Sequence, residues 1–226
     1  MVKYQPMIKA LIFDFDGLIL DTETPEFEVW REIYQEFGQD LSVEMWGQTV
    51  GGSAASDFSS LPYLESLLKR DLTPLNLSAR AEEQRLARIL ALPPLPGVLQ
   101  MLNAAQQMGL RLAVASSSRH RWVDGHLARL GLDAFFETAR CADDVARTKP
   151  QPDLYLSALD ALGVSPLEAI AFEDSPNGVR AARSAGIFVV AIPNPVTAQL
   201  TFTGESLRLT SMADLTLEEL LAAAKP

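Results

Sequence analysis

The sequence predicts an α/β fold: a parallel β-sheet covered by helices on both faces, with an all-helical segment inserted after the first strand. Three observations predict it. Short apolar runs rich in β-formers recur along the chain and alternate with stretches of helical patterning, the rhythm of a parallel sheet whose crossovers are helices. Between about residues 22 and 92 that alternation stops, and only helical spacing remains. Three of the apolar runs also end in acids or hydroxyls, and in open α/β sheets binding sites form beyond the carboxyl ends of the strands.

Taken in order, Lys9 to Phe13 is the first strand-like run, followed by Leu110 to Ala115, Ala169 to Phe172 and Phe188 to Ile192. Each has the length of a buried strand. Arg121 to Leu130 and Pro152 to Leu162 pattern as helices between the second and third runs. The inserted segment holds Pro25 to Phe37, then Ser53 to Arg70 with a turn-like Pro62 inside it, then Ser78 to Ala91. Phe27, Trp30, Ile33, Tyr34 and Phe37 share one face of the first, and Leu86, Ile89 and Leu90 one face of the last. Pro25 suits a first helical turn and Gly38 a C-terminal cap. Pro93, Pro94, Pro96 and Gly97 then stop the helical run. The predicted division is a core of residues 1–21 and 93–226 and a helical domain of residues 22–92, hinged near Asp21 and Pro93.

A chain of 226 residues, 48% hydrophobic and 21% charged, can bury a substantial core. Its net charge of −10 and pI near 4.7 speak against a nucleic-acid binder, which needs a basic face. An anionic substrate would therefore need local positive charge or a metal. A single cysteine, Cys141, excludes an intramolecular disulfide and fits a reducing compartment. The most apolar N-terminal stretch, Ala10 to Leu20, is broken by Asp14 and Asp16, unlike a signal peptide or a membrane span. The expectation is a soluble, cytoplasmic chain, a monomer with no membrane partner.

The chemistry gathers at the strand ends. Asp14 and Asp16 follow the first run two residues apart, so with extended-chain periodicity both can face one way. Gly17 then lets the backbone turn. Two such close carboxylates repel, and without a cation one takes up a proton. Ser116, Ser117 and Ser118 follow the second run at a strand-to-helix turn, where hydroxyls and free N–H groups bind anions; a plain helix cap is the simpler use of one serine. Lys149 lies in Arg147-Thr148-Lys149-Pro150-Gln151-Pro152-Asp153, where two prolines fix the backbone around the cation. Glu173 and Asp174 end the third run, with Ser175 and Pro176 as a helix cap and first residue. Acids converging there with Asp14 form the oxygen-rich kind of site that Mg²⁺ prefers. Each feature has an ordinary structural explanation, but all four, in this order and at strand ends, do not combine by chance.

DFDGLILDTE, VASSS, KPQPD and FEDSPNG resemble the four motifs of the haloacid dehalogenase superfamily. The spacing and the helical insertion resemble its subfamily I, the branch of β-phosphoglucomutases and small-metabolite phosphatases. The resemblance covers nearly the whole chain and implies a Rossmann-like three-layer core with a helical cap. It implies Asp14 as the nucleophile forming an aspartyl phosphate, and Asp16 as general acid and then general base. It places Mg²⁺ on the Asp14 carboxylate, the Asp16 backbone carbonyl and Asp174, with Glu173 as a ligand or just behind. Ser116 and the amide of Ser117, beside Gly17, would hold the transferring phosphoryl group, and Lys149 would neutralise both it and Asp14.

Within that branch the expected function is a Mg²⁺-dependent phosphatase of a small phosphorylated metabolite, such as a sugar or polyol monophosphate or a phosphoglycolate-like compound. A dehalogenase needs neither Asp16 as an acid nor a metal. A mutase reading is weakened because Glu26 stands where the β-phosphoglucomutases carry a cap histidine, and because residues 47–57 hold no basic residue. A non-catalytic metal- or phosphate-binding module is the third alternative, disfavoured by four intact motifs. Candidate contacts to the leaving group are Glu26, Trp46, Gln48, Arg80 and Arg85, with Arg119 a candidate for phosphate or cap. Arg80 and Arg85 read first as solvated helix charges and Trp46 as core. His120 and His126 read as structural.

Overall fold

The structure, a computed structural model, describes residues 7–46 and 59–224. Six parallel strands form one sheet in the order β3-β2-β1-β4-β5-β6. Its centre is β1 (Ala10–Phe13), between β2 (Arg111–Ala115) and β4 (Ala169–Glu173), with Ala10 opposite both Arg111 and Ala169. Outward lie β5 (Phe188–Ala191), β3 (Thr138–Arg140) and β6 (Leu207–Arg208). The four predicted strands are all present. β3 and β6 are additions, and with three and two residues they are too short to leave a periodic signal.

Alternation along the central strands sorts side chains onto two unlike faces. Leu11, Phe13, Val114, Ile170, Phe172 and Val190 point to one side and pack with α5 (Val98–Gln107), α6 (His120–Leu130) and α9 (Leu217–Ala223). There Phe13 stacks on Phe172 at 4.7 Å between ring centres. Ala10, Ala113, Ala115, Ala169, Ala171 and Ala191 dominate the other side, together with Ile12 and Val189. Their small side chains let α7 (Asp153–Leu162) and α8 (Pro176–Ser184) lie close to the strands. The result is three layers, helix–sheet–helix.

Between β1 and β2 the described residues are helical apart from their connections: α1 (Glu23–Glu36), α2 (Val43–Trp46), α3 (Ser60–Leu68) and α4 (Leu77–Leu90). Phe27, Trp30, Ile33, Tyr34, Leu41, Trp46, Leu64, Leu72, Leu77 and Ala81 form a hydrophobic cluster of their own, closed by Val196 from the loop after β5. The predicted apolar face of α1 is the buried one, and Gly38 follows its last turn with φ +67°. Pro62 falls in the first turn of α3 and does not break it. Residues 53–58 of the predicted middle helix lie outside the described residues. On α4 the buried side chains are Leu77, Ala81 and Ile89, while Leu86 and Leu90 stay 36% and 48% exposed. Their spacing matched a helix face, but among the described residues only Ile89 of that face is covered. Leu95 N–H donates to Ile19 C=O at 2.8 Å, pinning the two connections together. Among the described residues, no helix is long and apolar enough to cross a membrane.

Candidate active site

Every strand end that the sequence singled out opens into one cleft of about 370 Å³ above the sheet. Parallel pairing of β1 with β2 and β4 brings their carboxyl ends to a common edge, and each run hands its next residues to that edge. Asp14 N–H still donates to Phe172 C=O at 3.0 Å, so the ladder carries its backbone one residue past β1. Its Oδ1 accepts from Phe15 N–H at 2.7 Å and faces Lys149 Nζ at 2.7 Å. Gly17 turns the chain with φ +76°, and a Cβ there would run into the Asp174 carboxylate. Only glycine fits both demands.

Lys149 is 5% exposed and bridges two carboxylates, Asp14 and Glu173, each at 2.7 Å. Burial alone would push its pKa down, but the two acids outweigh that and hold the ammonium charged. Glu173 also accepts a hydrogen bond from the Tyr155 hydroxyl. Next to it, Asp174 Oδ2 accepts from Asn194 Nδ2 at 2.7 Å. Ser175 caps α8, accepting from Gly178 N–H at 3.1 Å, and Pro176 is the first helical residue, as predicted.

Asp14, Glu173 and Asp174 are all buried and bring carboxylate oxygens within 4.8 Å of one another. Burial, then mutual repulsion, raises the pKa of Asp174; burial also raises Asp14, partly countered by Lys149. One lysine against three carboxylates leaves negative charge uncompensated. Among the described residues Glu173 Oε2 is buried with no hydrogen-bond donor. A buried, net-anionic cluster of oxygens at the edge of an open cleft is what a hard divalent cation prefers, so these residues fit Mg²⁺.

Opposite them, Ser116, Ser117 and Ser118 line the cleft beyond β2. Ser116 Oγ accepts from Ser118 N–H at 3.0 Å, and the buried Ser117 hydroxyl has no hydrogen-bond partner among the described residues. Asp16 turns its carboxylate toward this wall. Its Oδ2 accepts from Ser118 Oγ at 2.6 Å and, at 3.4 Å, from Ser116 Oγ, while Oδ1 accepts from Trp122 Nε1 at 2.8 Å.

The helical segment closes the cleft with Thr22, Glu23, Glu26 and Arg85. Burial and the surrounding acids Glu26, Asp16 and Asp14 push Glu23 up to about 8. Burial raises Glu26 too, with Arg85 pulling it back from 4.0 Å away. Arg85 is a correction: expected as a solvated helix charge, it lines the cleft with its guanidinium 5.1 Å from the centre of the Trp122 ring. Arg80 is at the surface, paired with Glu36 at 2.7 Å. Trp46 is core, its ring 5.9 Å from that of Phe27. Arg119 does not line the cleft; its side chain is 82% exposed, 4.0 Å from Asp143. Gln48 lies outside the described residues. His120 sits between Asp124 and Asp144 at 3.1 and 2.8 Å, and the ring of His126 packs between those of Phe15 and Trp122.

Trp122, Tyr155, Asn194 and Glu23 belong to the site without having been singled out. Glu23 stood inside a motif and was open to recognition. Trp122, Tyr155 and Asn194 look like ordinary helix and loop residues, and only packing aims them.

Residues 8–186 match the family model of the haloacid dehalogenase-like hydrolases. YhcW of Bacillus subtilis (strain 168), a phosphatase by provisional name, is 48% identical over 215 residues, which span 95% of this chain and 97% of that one. The phosphorylated carbohydrates phosphatase of Thermotoga maritima is 33% identical over 182 residues, 80% of this chain and 82% of its own. A crystal structure of CbbY from Rhodobacter sphaeroides in complex with phosphate superposes with a TM-score of 0.70 at 29% identity, covering 95% of this chain and 99% of CbbY. With its four motifs converging on one cleft and this match over most of its length, the chain belongs to the haloacid dehalogenase-like hydrolase family.

Proposed function

We propose that this hydrolase is a Mg²⁺-dependent phosphatase that cleaves small sugar or polyol monophosphates through an aspartyl phosphate on Asp14. It is a phosphoric monoester hydrolase, in keeping with its phosphatase relatives. The observation that carries the reading is the pairing of Asp14 with the buried Lys149, 2.7 Å apart at the floor of a cleft walled by serines. A lysine so held favours the ionised, nucleophilic form of Asp14 against its burial and offers positive charge to an incoming phosphoryl group.

In the first step an Asp14 oxygen bonds to phosphorus as the bond to the leaving alcohol breaks, and Asp16 gives its proton to that alcohol. In the second, water attacks the phosphorus of the aspartyl phosphate, Asp16 takes the water's proton, and Asp14 and phosphate are released. Ser116 and Ser117 offer hydroxyl and N–H groups to the phosphoryl oxygens, which is mostly what phosphoryl transfer asks of a protein. Asp14, Asp174 and the Asp16 carbonyl would hold Mg²⁺, which supplies charge neutralisation for the transferring group. Glu173 holds Lys149 in place from behind. Residues 22–92 act as the cap, excluding water and reading the leaving group.

Glu23 and Glu26 face the cleft from the cap with one Arg85 between them and the core. A second phosphate there would find Arg85 already facing Glu26, and beside it a buried Glu23 carboxyl that itself resists negative charge, whereas hydroxyl groups can donate to both acids. The relative named for phosphorylated carbohydrates supports that substrate class.

The test is phosphate release from a panel of sugar, polyol and two-carbon acid monophosphates, with Mg²⁺ and with chelator. Release is expected only with the ion, and Asp14→Asn should abolish it while leaving the fold intact. Release undiminished by thorough chelation would end the metal reading, and near-normal turnover by Asp14→Asn would end the nucleophile assignment. Conversion of β-glucose 1-phosphate to glucose 6-phosphate faster than phosphate release, given a trace of bisphosphate, would turn the reading to a mutase. An inert panel with tight phosphate binding would turn it to a binding module.

A further inference from the structure

The most closely determined side chain in the cleft is not the nucleophile but Asp16. Both of its oxygens are held, and by donors of different kinds. Oδ1 accepts from the Trp122 indole at 2.8 Å, and Oδ2 from the Ser118 hydroxyl at 2.6 Å, with Ser116 Oγ at 3.4 Å. An indole N–H can only donate. A proton on Oδ1 would make it a poorer acceptor for a donor that cannot switch roles, so the indole favours Oδ1 as the acceptor and Oδ2 as the proton carrier. A serine hydroxyl donates or accepts as required. When Asp16 is protonated, Ser118 can turn and accept, so Oδ2 can carry the proton without losing a partner.

We infer that Trp122 is a positioning residue for proton transfer, fixing Asp16 so that Oδ2, on the serine side of the cleft, is the oxygen that gives and takes the proton. The inference rests on the reading of Asp16 as the acid and base. Trp122 is itself braced from two directions. The His126 ring meets it edge-on at 4.2 Å, and Arg85 from the cap lies over it at 5.1 Å from the ring centre. Arg85 is tied in turn to Glu82 at 2.8 Å and faces Glu26 at 4.0 Å. The indole thus stands between the acid–base residue and the cap, and the position of α4 is transmitted to Asp16 through one ring.

Trp122→Phe keeps a ring beneath Arg85 and removes the N–H. The readout is kcat/KM, which covers only the steps up to departure of the leaving group, on two substrates. One is the best sugar monophosphate of the panel, whose alkoxide leaving group needs a proton. The other is 4-nitrophenyl phosphate, whose phenolate leaves without one. Loss of one hydrogen bond to a charged group predicts a fall of roughly tenfold on the sugar phosphate, and a much smaller fall on the aryl ester. The ratio of the two should shift by about tenfold. Asp16→Asn, measured alongside, should shift it further, by roughly a hundredfold or more.

Equal losses on both substrates, or none on either, would overturn the role of Trp122. If Asp16→Asn is selective and Trp122→Phe is not, only this inference falls. If Asp16→Asn is itself unselective, the acid–base reading falls with it. Should the phenylalanine variant melt far below the native protein, 3-benzothienylalanine at position 122 keeps the two-ring shape without the N–H and gives the same decision.

Discussion

Glu23 begins α1 with its carboxyl turned into a cleft that already holds Asp14, Asp16 and Asp174. Burial, then Glu26, Asp16 and Asp14, lift its pKa to about 8 from an ordinary value near 4.5. The sign follows from proton counting. Below pH 4.5 both folded and unfolded chains carry the proton. Between 4.5 and 8 only the folded chain does, so this residue costs the fold stability as pH rises through that window, and the full cost persists above it. Glu23→Gln should therefore flatten the fall in melting temperature of the metal-free protein between pH 5 and pH 8.5. Equal slopes for the two proteins would mean that Glu23 is not held protonated. Lys149 shows the opposite balance on the same floor, kept charged because two carboxylates outweigh its burial. Both residues were visible in the sequence, Lys149 as a candidate and Glu23 only as the end of a motif. Neither ionisation state was, because burial in the assembled cleft sets Glu23 and two carboxylates from other parts of the chain set Lys149.

At the scale of elements, β4 and α8 show how local chemistry builds a site. The apolar run ends in two acids, Ser175 caps the helix, and Pro176 opens it, all of which follow from residues within a few positions of each other. Gly178 has a longer-range reason. Its Cα lies so close to Glu173 that a Cβ would overlap the carboxylate. Gly178→Ala should cost about 2 kcal/mol by overpacking and should also lower turnover, because Glu173 cannot move without shifting Lys149. An unchanged melting temperature would show that the helix start adjusts freely. The four long strands and the helices α1, α3, α4, α6 and α7 were legible because each carries its own periodicity, and α8 by its cap, whereas α2, α5 and α9 were not singled out. β3 and β6 were not, being shorter than a period can register, and the face of Leu86, Ile89 and Leu90 is buried among the described residues only at Ile89, since burial depends on neighbours a period does not show.

For the whole molecule, the buried acids matter most. Asp14 comes from the end of β1 and Glu173 and Asp174 from the end of β4, so the oxygen cluster exists only when the sheet is assembled. An ion that binds this cluster binds the folded state alone and stabilises it by mass action, by about 2.7 kcal/mol at a hundredfold excess over the dissociation constant. Mg²⁺ should raise the melting temperature of the native protein. Asp174→Asn should erase that rise while leaving the metal-free protein at least as stable, since one buried like charge is gone. A rise that survives the substitution would place the ion elsewhere. By itself the sequence determined the class of sheet, the helical insertion and the acids, serines and lysine at the strand ends, because periodicity and motif spacing are local properties of a chain. Only the tertiary structure decided that Trp122 meets Asp16 across 106 residues, that Tyr155 and Asn194 reach Glu173 and Asp174, and that Arg85 faces the cleft while Arg119 faces solvent. Direction and contact belong to packing, and packing is a property of segments brought together rather than of any one of them.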